Sequence, residues 1–396
     1  MTASRADALS QLLLIDLEDG AWSARLERWL RSLSPGGIVF STARPRSADD
    51  TAGLLARISA ALGYVPFLTL EEDGGSKSLL HHLLPPLPSP RAAARLGAPA
   101  AGRLGDLVGA GMKLLGFNTN LAPVLDLFTP FSEALLGPRA FGGEAQEVAR
   151  CARAFVRGLA SHHVLACGKH FPGLGGAERT ATSARPVVGK TMAQLWSEDL
   201  VPYRELIGAP NSLAGRRSDL RDELPLVMLS PCAYKAYDFE VPRPAAVSPA
   251  VVEGLLRAKL GYSGVAIADL RQPGSAGVSP ACGGMGGSLA ASPKWQRAGE
   301  TSALPGADWD AAAAQPLMAG CDMLVTSAEG AGKVLTGLRR ALELGWLSTP
   351  GVDQSLERVR GARRRLARRS GRMSKAAVDQ VARSFQRFSK ECQAGG

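Results

Sequence analysis

The chain contains no CxxC pair. Its six cysteines, Cys151, Cys167, Cys232, Cys282, Cys321 and Cys392, stand far apart. That excludes the disulfide framework of small secreted domains and a cysteine-ligated zinc site. No metal and no cofactor is called for. No apolar run approaches the ~18 residues of a membrane span. The first apolar run, residues 12–16, is too short for a signal peptide and is followed at once by acids. Nor does a Gly-rich phosphate fingerprint follow it: Asp16-Leu-Glu-Asp-Gly20 lacks the spacing of a dinucleotide-binding turn. These absences lead to the expectation of a soluble, cytoplasmic, monomeric protein with reduced thiols and no membrane partner.

What is present is length, apolar content and rhythm. The 396 residues, 45% of them hydrophobic, suffice for one large core or two medium ones. Short apolar runs recur at residues 12–16, 37–40, 65–70, 118–126, 164–170, 224–230, 264–269 and 322–326. Between them lie helix-compatible stretches, among them 24–33, 104–115, 145–161, 191–207, 249–260 and 330–344. Strand alternating with helix argues for a parallel sheet, and about eight such units point to an α/β fold, a (β/α)8 TIM barrel. An open doubly wound sheet is the alternative, and the missing phosphate fingerprint counts against it. Polar residues follow the runs: Asp16, Glu71 to Asp73, Asp126, Lys169-His170 and Asp269. A closed barrel gathers them at one mouth.

Residues 274–308 break this rhythm. They are rich in Gly, Ser, Ala and Pro and read as a low-complexity, disordered insertion after the seventh strand. The predicted organisation is a barrel over residues 10–345, carrying that insertion, and a basic helical extension over 346–396. Much of the formal net charge of +10 lies in the arginine-rich stretch 358–369. With no nucleic-acid motif beside it, this reads as a solvated helix face, so nucleic acid is not an expected partner.

The most informative stretch is Cys167-Gly168-Lys169-His170-Phe171-Pro172-Gly173, an apolar strand ending in two side chains that carry or donate protons. Other ordered motifs accompany it: Phe117 through Asp126, Arg139-Ala-Phe-Gly-Gly143, Leu226-Val-Met-Leu-Ser230, Gly264-Val-Ala-Ile-Ala-Asp269 and Ala319-Gly-Cys-Asp-Met-Leu324. Together they resemble the N-terminal barrel domain of glycoside hydrolase family 3, of the bacterial β-N-acetylhexosaminidase type. The resemblance implies a retaining glycosidase acting on β-linked N-acetylhexosamine, in carbohydrate metabolism or peptidoglycan turnover. It places Asp269 at the nucleophile position, Lys169, His170 and Arg139 at sugar-binding positions, and Glu71 where the family has an Asp that grips sugar hydroxyls. Asp126 falls on a strand-end Asp of structural character.

This chain also departs from the pattern. The family continues with His-Gly-Asp and a loop bearing an Asp–His acid/base pair. Here the corresponding residues are Leu174 and Gly176, then Thr180 and Thr182. A threonine hydroxyl cannot relay a proton near neutral pH as imidazole does. A His at the end of the sixth strand is Pro231, and Glu-Gly-Gly-Arg has become Asp73-Gly-Gly-Ser76. Glu178 is the carboxylate left in the loop and the candidate substitute acid. Three readings follow: a retaining glycosidase of weakened or altered activity, a sugar- or muropeptide-binding pseudoenzyme, and an unrelated barrel such as a phosphate-handling lyase. The third lacks a Gly-rich phosphate loop after the seventh or eighth run.

Overall fold

A computed structural model describes residues 8–18, 21–41, 47–75, 78–130, 132–178, 186–207, 224–241, 243–271, 309–366 and 374–394. Eight parallel strands close into a barrel: β1 Leu13–Asp16, β2 Gly37–Phe40, β3 Phe67–Leu70, β4 Thr119–Asn120, β5 Leu165–Phe171, β6 Leu226–Leu229, β7 Val265–Asp269 and β8 Met323–Ser327. Each pairs with the next in sequence, and β8 pairs with β1. The expected (β/α)8 architecture is the observed one. Most strands read as apolar runs because both faces are covered, the inner by side chains filling the barrel and the outer by helices; β4, Thr119–Asn120, is the polar exception. All four residues of β1, β2, β3 and β6 are buried.

Local chemistry sets the helix limits. Ser47 caps Ala48–Leu62 by accepting from Asp50 N, and Gly63, at φ 75°, ends it in the left-handed region that glycine tolerates. The Glu144 carboxylate accepts from Gln146 N and Glu147 N to start Ala145–Ser161. The stretch expected as one helix over 191–207 is two, Met192–Ser197 and Val201–Ile207. Pro202 is the reason: inside a continuous helix its ring would strike the carbonyl of Glu198, but in the first turn of a new helix its missing N–H costs nothing. The helix expected over 249–260 spans Ala250–Lys259 and is wound with π-type bonding.

Behind β4 and β5 the helices Ala98–Leu115 and Ala145–Ser161 meet backbone to backbone. A Cβ on Gly105 would lie 2.2 Å from Phe155 O, and one on Gly158 would lie 2.4 Å from Asp106 N. Only glycine permits this crossing. The approach holds the two strands that carry Lys169, His170 and the Asp126 segment.

Beyond β8, helix Ala331–Glu343 is followed by Thr349–Arg364 and Lys375–Ala394. The arginine-rich helix is not wholly a solvated face. Arg358 Nη1 and Ser355 Oγ each lie 2.9 Å from Asp322 Oδ1, at the amino end of β8. The other oxygen of Asp322 accepts from Arg257 and from Ala266 N. The last helix buries Phe385, Phe388 and Cys392, and Phe385 packs on Gly111 of Ala98–Leu115. No helix among the described residues is long and apolar enough to cross a membrane. Residues 274–308 lie outside the described residues.

Candidate active site

Four charged side chains form one network at the carboxyl ends of β3 and β5. Lys169 is fully buried; its Nζ lies 2.8 Å from Glu71 Oε1 and 3.5 Å from Asp73 Oδ2. Arg139, from the loop after β4, places Nη1 3.3 Å from the same Glu71 oxygen and 3.5 Å from the same Asp73 oxygen. The extended backbone alternates its side chains, so Glu72 turns the other way. Its carboxylate accepts from Ser78 Oγ at 2.8 Å, Gly74 N at 3.0 Å and Leu80 N at 3.2 Å. Asn120 of β4 bonds both the N–H and the carbonyl of Glu72 at 2.9 Å.

These neighbouring glutamates titrate in opposite senses. Burial resists ionisation of both. At Glu71 the charges of Lys169 and then Arg139 outweigh burial and hold the carboxyl down at about 2. At Glu72 burial prevails over the hydrogen bonds from Ser78, Leu80 and Gly74, and the charge of Asp73 adds to it, so the carboxyl is pushed up to about 7. Asp73 Oδ1 and Arg139 Nε find no hydrogen-bond partner among the described residues.

A second cluster joins β1 to β7. Arg271, two residues past the end of β7, holds Asp269 through Nε, at 2.9 Å from Oδ1 and 3.1 Å from Oδ2, and through Nη2, at 2.5 Å from Oδ2. Its Nη1 reaches Asp16 Oδ2 at 2.9 Å. The Arg271 backbone N–H donates to Asp269 Oδ1 at 2.9 Å. The guanidinium is 3% exposed. Burial works against its charge, but the two carboxylates overcome this and raise its pKa. Arg271 also lowers the pKa of Glu71, so the two clusters share one electrostatic site.

A third set braces the turn after β5. Asp126 Oδ2 accepts from His170 Nδ1 at 2.7 Å, and Oδ1 accepts from Leu174 N at 2.8 Å. Tyr234 OH donates to Gly173 O at 2.8 Å. Next along this turn, Lys190 lies across Gly176, where an added Cβ would sit 2.8 Å from Lys190 Cε. The ammonium of Lys190 pairs with Asp199 at 2.5 Å and Glu198 at 2.9 Å.

Residues 6–279 match the family model of the glycosyl hydrolase family 3 N-terminal domain. The chain belongs to that family. Among curated relatives, a β-hexosaminidase from Methylococcus capsulatus is 26% identical over 357 residues, covering 89% of this chain and 92% of the relative. One from Pseudomonas aeruginosa is 30% identical over 262 residues, covering 65% and 72%. A family 3 glycosyl hydrolase structure from Mycobacterium smegmatis superposes with a TM-score of 0.70 at 26% identity, covering 91% of this chain and 97% of the other. A family 3 β-N-acetylglucosaminidase from a Paenibacillus species superposes at 0.78 with 24% identity, covering 99% and 69%. The chain is thus a β-hexosaminidase-like family 3 barrel.

Within this family 3 barrel, Asp269, Lys169, His170, Arg139 and Glu71 all sit at the carboxyl end of the strands. The structure joins Glu71, Lys169 and Arg139 directly, ties His170 to Asp126, and ties Asp269 to Arg271 rather than to the other candidates. Glu178 forms a short antiparallel pair, Ala177–Glu178 with Val187–Val188; its side chain lies outside the described residues, as do Thr180, Thr182 and Ser76. Sequence reasoning missed Arg271. The available signal was an arginine two residues after a strand-end aspartate, close enough to fold back on it. It also missed Asp73 as a second anion for Lys169 and Arg139.

Proposed function

We propose that this family 3 barrel acts on β-linked N-acetylhexosaminides by the retaining route, with Asp269 as nucleophile. The observation that carries the reading is the polar set at the mouth: a strand-end carboxylate on β7 and the Lys169–Arg139–Glu71–Asp73 network on the β3–β5 side. Cationic donors beside carboxylate acceptors are what recognition of vicinal sugar hydroxyls requires. The Asp73 Oδ1 and Arg139 Nε atoms add an acceptor and a donor in the same network. His170, braced by Asp126, belongs to the same binding surface. The curated relatives are β-hexosaminidases, which supports the substrate class. The five cysteines among the described residues are buried free thiols, which fits a reducing cytoplasm.

The weak step is leaving-group departure, because Leu174, Gly176, Thr180 and Thr182 stand where the family has its His, Asp and acid/base pair. General acid help is typically worth ~10²–10⁴-fold. It matters for a sugar hydroxyl and little for a phenol that departs as its anion. The test is hydrolysis of dinitrophenyl β-N-acetylglucosaminide against a natural N-acetylglucosamine disaccharide. Cleavage of the first and almost none of the second is expected. Asp269→Ala abolishes the aryl activity, and Glu178→Gln barely changes it. Equal efficiency on both substrates would mean that a competent acid exists, with Glu178 first to examine.

One observation favours a second reading, a sugar-binding pseudoenzyme: both oxygens of Asp269 are held by Arg271. No cleavage of either substrate, with sugar binding lost in Lys169→Ala, decides for it.

A further inference from the structure

We infer that Arg271 is a positioning residue that acts through Asp269, slowing formation of the glycosyl-enzyme and speeding its breakdown. The inference rests on the reading of Asp269 as nucleophile. In the first step an Asp269 oxygen bonds to the anomeric carbon while the bond to the phenol oxygen breaks, and the phenolate leaves with the electron pair. The carboxylate charge is consumed. In the second step a water oxygen bonds to the anomeric carbon, the ester bond to Asp269 breaks, the carboxylate regains its pair and the water proton passes to solvent. The charge returns.

A guanidinium that donates to both oxygens binds the carboxylate ion more strongly than the neutral ester. Only interactions that change between ground state and transition state alter a rate. The fork on Asp269 therefore opposes the step that discharges the carboxylate and assists the step that restores it. The guanidinium is not at liberty to swing aside. It is almost fully buried and is fastened at its far end to Asp16, which also accepts from the Ser41 hydroxyl. Asp269 has a separate support that any replacement of Arg271 keeps, the backbone N–H of residue 271. Removing the side chain therefore changes the electrostatics of Asp269 more than its placement.

The test is rapid quenching during turnover of dinitrophenyl β-N-acetylglucosaminide, with the covalent fraction read by intact mass and peptide mapping. Wild type, which lacks the family's base for the second step as well as its acid for the first, gives the reference burst and the reference rate of adduct decay. Arg271→Met forms the adduct on Asp269 at least tenfold faster and loses it at least tenfold more slowly, since each charge-assisted hydrogen bond lost shifts a rate by on the order of tenfold. Arg271→Lys, which keeps the charge and loses the fork, lies between. Arg271→Met leaves Asp16 buried without its cation, so Asp16→Asn/Arg271→Met serves if the single variant does not fold. A merely structural role for Arg271 lowers adduct formation and adduct decay together. Adduct decay in the Met variants as fast as in wild type, or faster, overturns the inference while the nucleophile reading stands. An adduct elsewhere, or turnover surviving in Asp269→Ala, overturns the nucleophile reading and the inference with it. Absence of product and adduct in every protein does the same.

Discussion

Replacing Glu72 with glutamine isolates one buried carboxyl and should change how stability depends on pH. Glu72 is fully buried, and its pKa lies at about 7 in the fold against an ordinary 4.5. A raised carboxyl pKa means that the folded chain keeps a proton which the unfolded chain has released. The stabilisation from that proton is complete below 4.5 and is lost as pH rises through about 7. At ~1.36 kcal/mol per unit, the span is about 3 kcal/mol. With an unfolding entropy of ~2.1 cal/mol/K per residue, a chain of this length loses about 4 °C of Tm for that amount. The assay is thermal unfolding of wild type and Glu72→Gln from pH 4.5 to 8.5. The variant carries its own constant cost, because an amide replaces an acceptor for Ser78, Gly74 and Leu80. The informative quantity is the difference between the two curves. Wild type should fall by about 4 °C relative to the variant across this range, most steeply between about pH 5 and 6.5, midway between the two pKa values, and the difference should level off above pH 7. Parallel curves, or a wild type that gains on the variant as pH rises, would show that the three donors outweigh burial and refute the reasoning.

Lys169→Met leaves Glu71 and Asp73 to share Arg139. Losing one partner of a buried ion network costs roughly 3–5 kcal/mol, measurable by urea unfolding at pH 7. The lowered pKa of Glu71 contributes stability above 4.5 that is lost as pH falls towards about 2, so the gap between wild type and variant should narrow in acid. Gly158→Ala forces apart the helices behind β4 and β5; overpacking of this kind costs roughly 1–3 kcal/mol. The same substitution at Gly53, which has nothing within 4 Å of its Cβ position, should leave Tm unchanged or raise it.

The eight barrel strands coincide with the eight runs read from the sequence, because strands buried on both faces are mostly apolar; β4, Thr119–Asn120, is polar and was legible only through the longer stretch 118–126 around it. Helix Ala145–Ser161 was legible to its ends, since its apolar stripe is regular and Glu144 marks its start. The break after Ser197 was written in Pro202 but hidden by apolar residues on both sides. In the candidate site, Lys169, His170 and Asp269 stood out as strand-end residues. Two features did not. Arg271 meets Asp16 across 255 positions of sequence, a pairing that only barrel closure creates. The acids at 71 to 73 looked like one cluster, but strand alternation sends Glu71 and Asp73 to the cations and Glu72 into the loop behind them. That alternation was available beforehand in the period of an extended chain.

The seam where β1 meets β8 has a consequence for synthesis. Leu13 pairs with Leu324 and Asp16 with Ser327, so the first strand made waits for the last. At ~5–20 residues per second, about 15–60 s of translation separates them. Through that interval the nascent sheet has an open edge at β1, whose N–H and C=O groups can pair with a neighbouring chain. The finished molecule hides this exposure completely. The hazard belongs to the ribosome-bound intermediate, where crowding of sister chains on one message would decide how many barrels close on themselves.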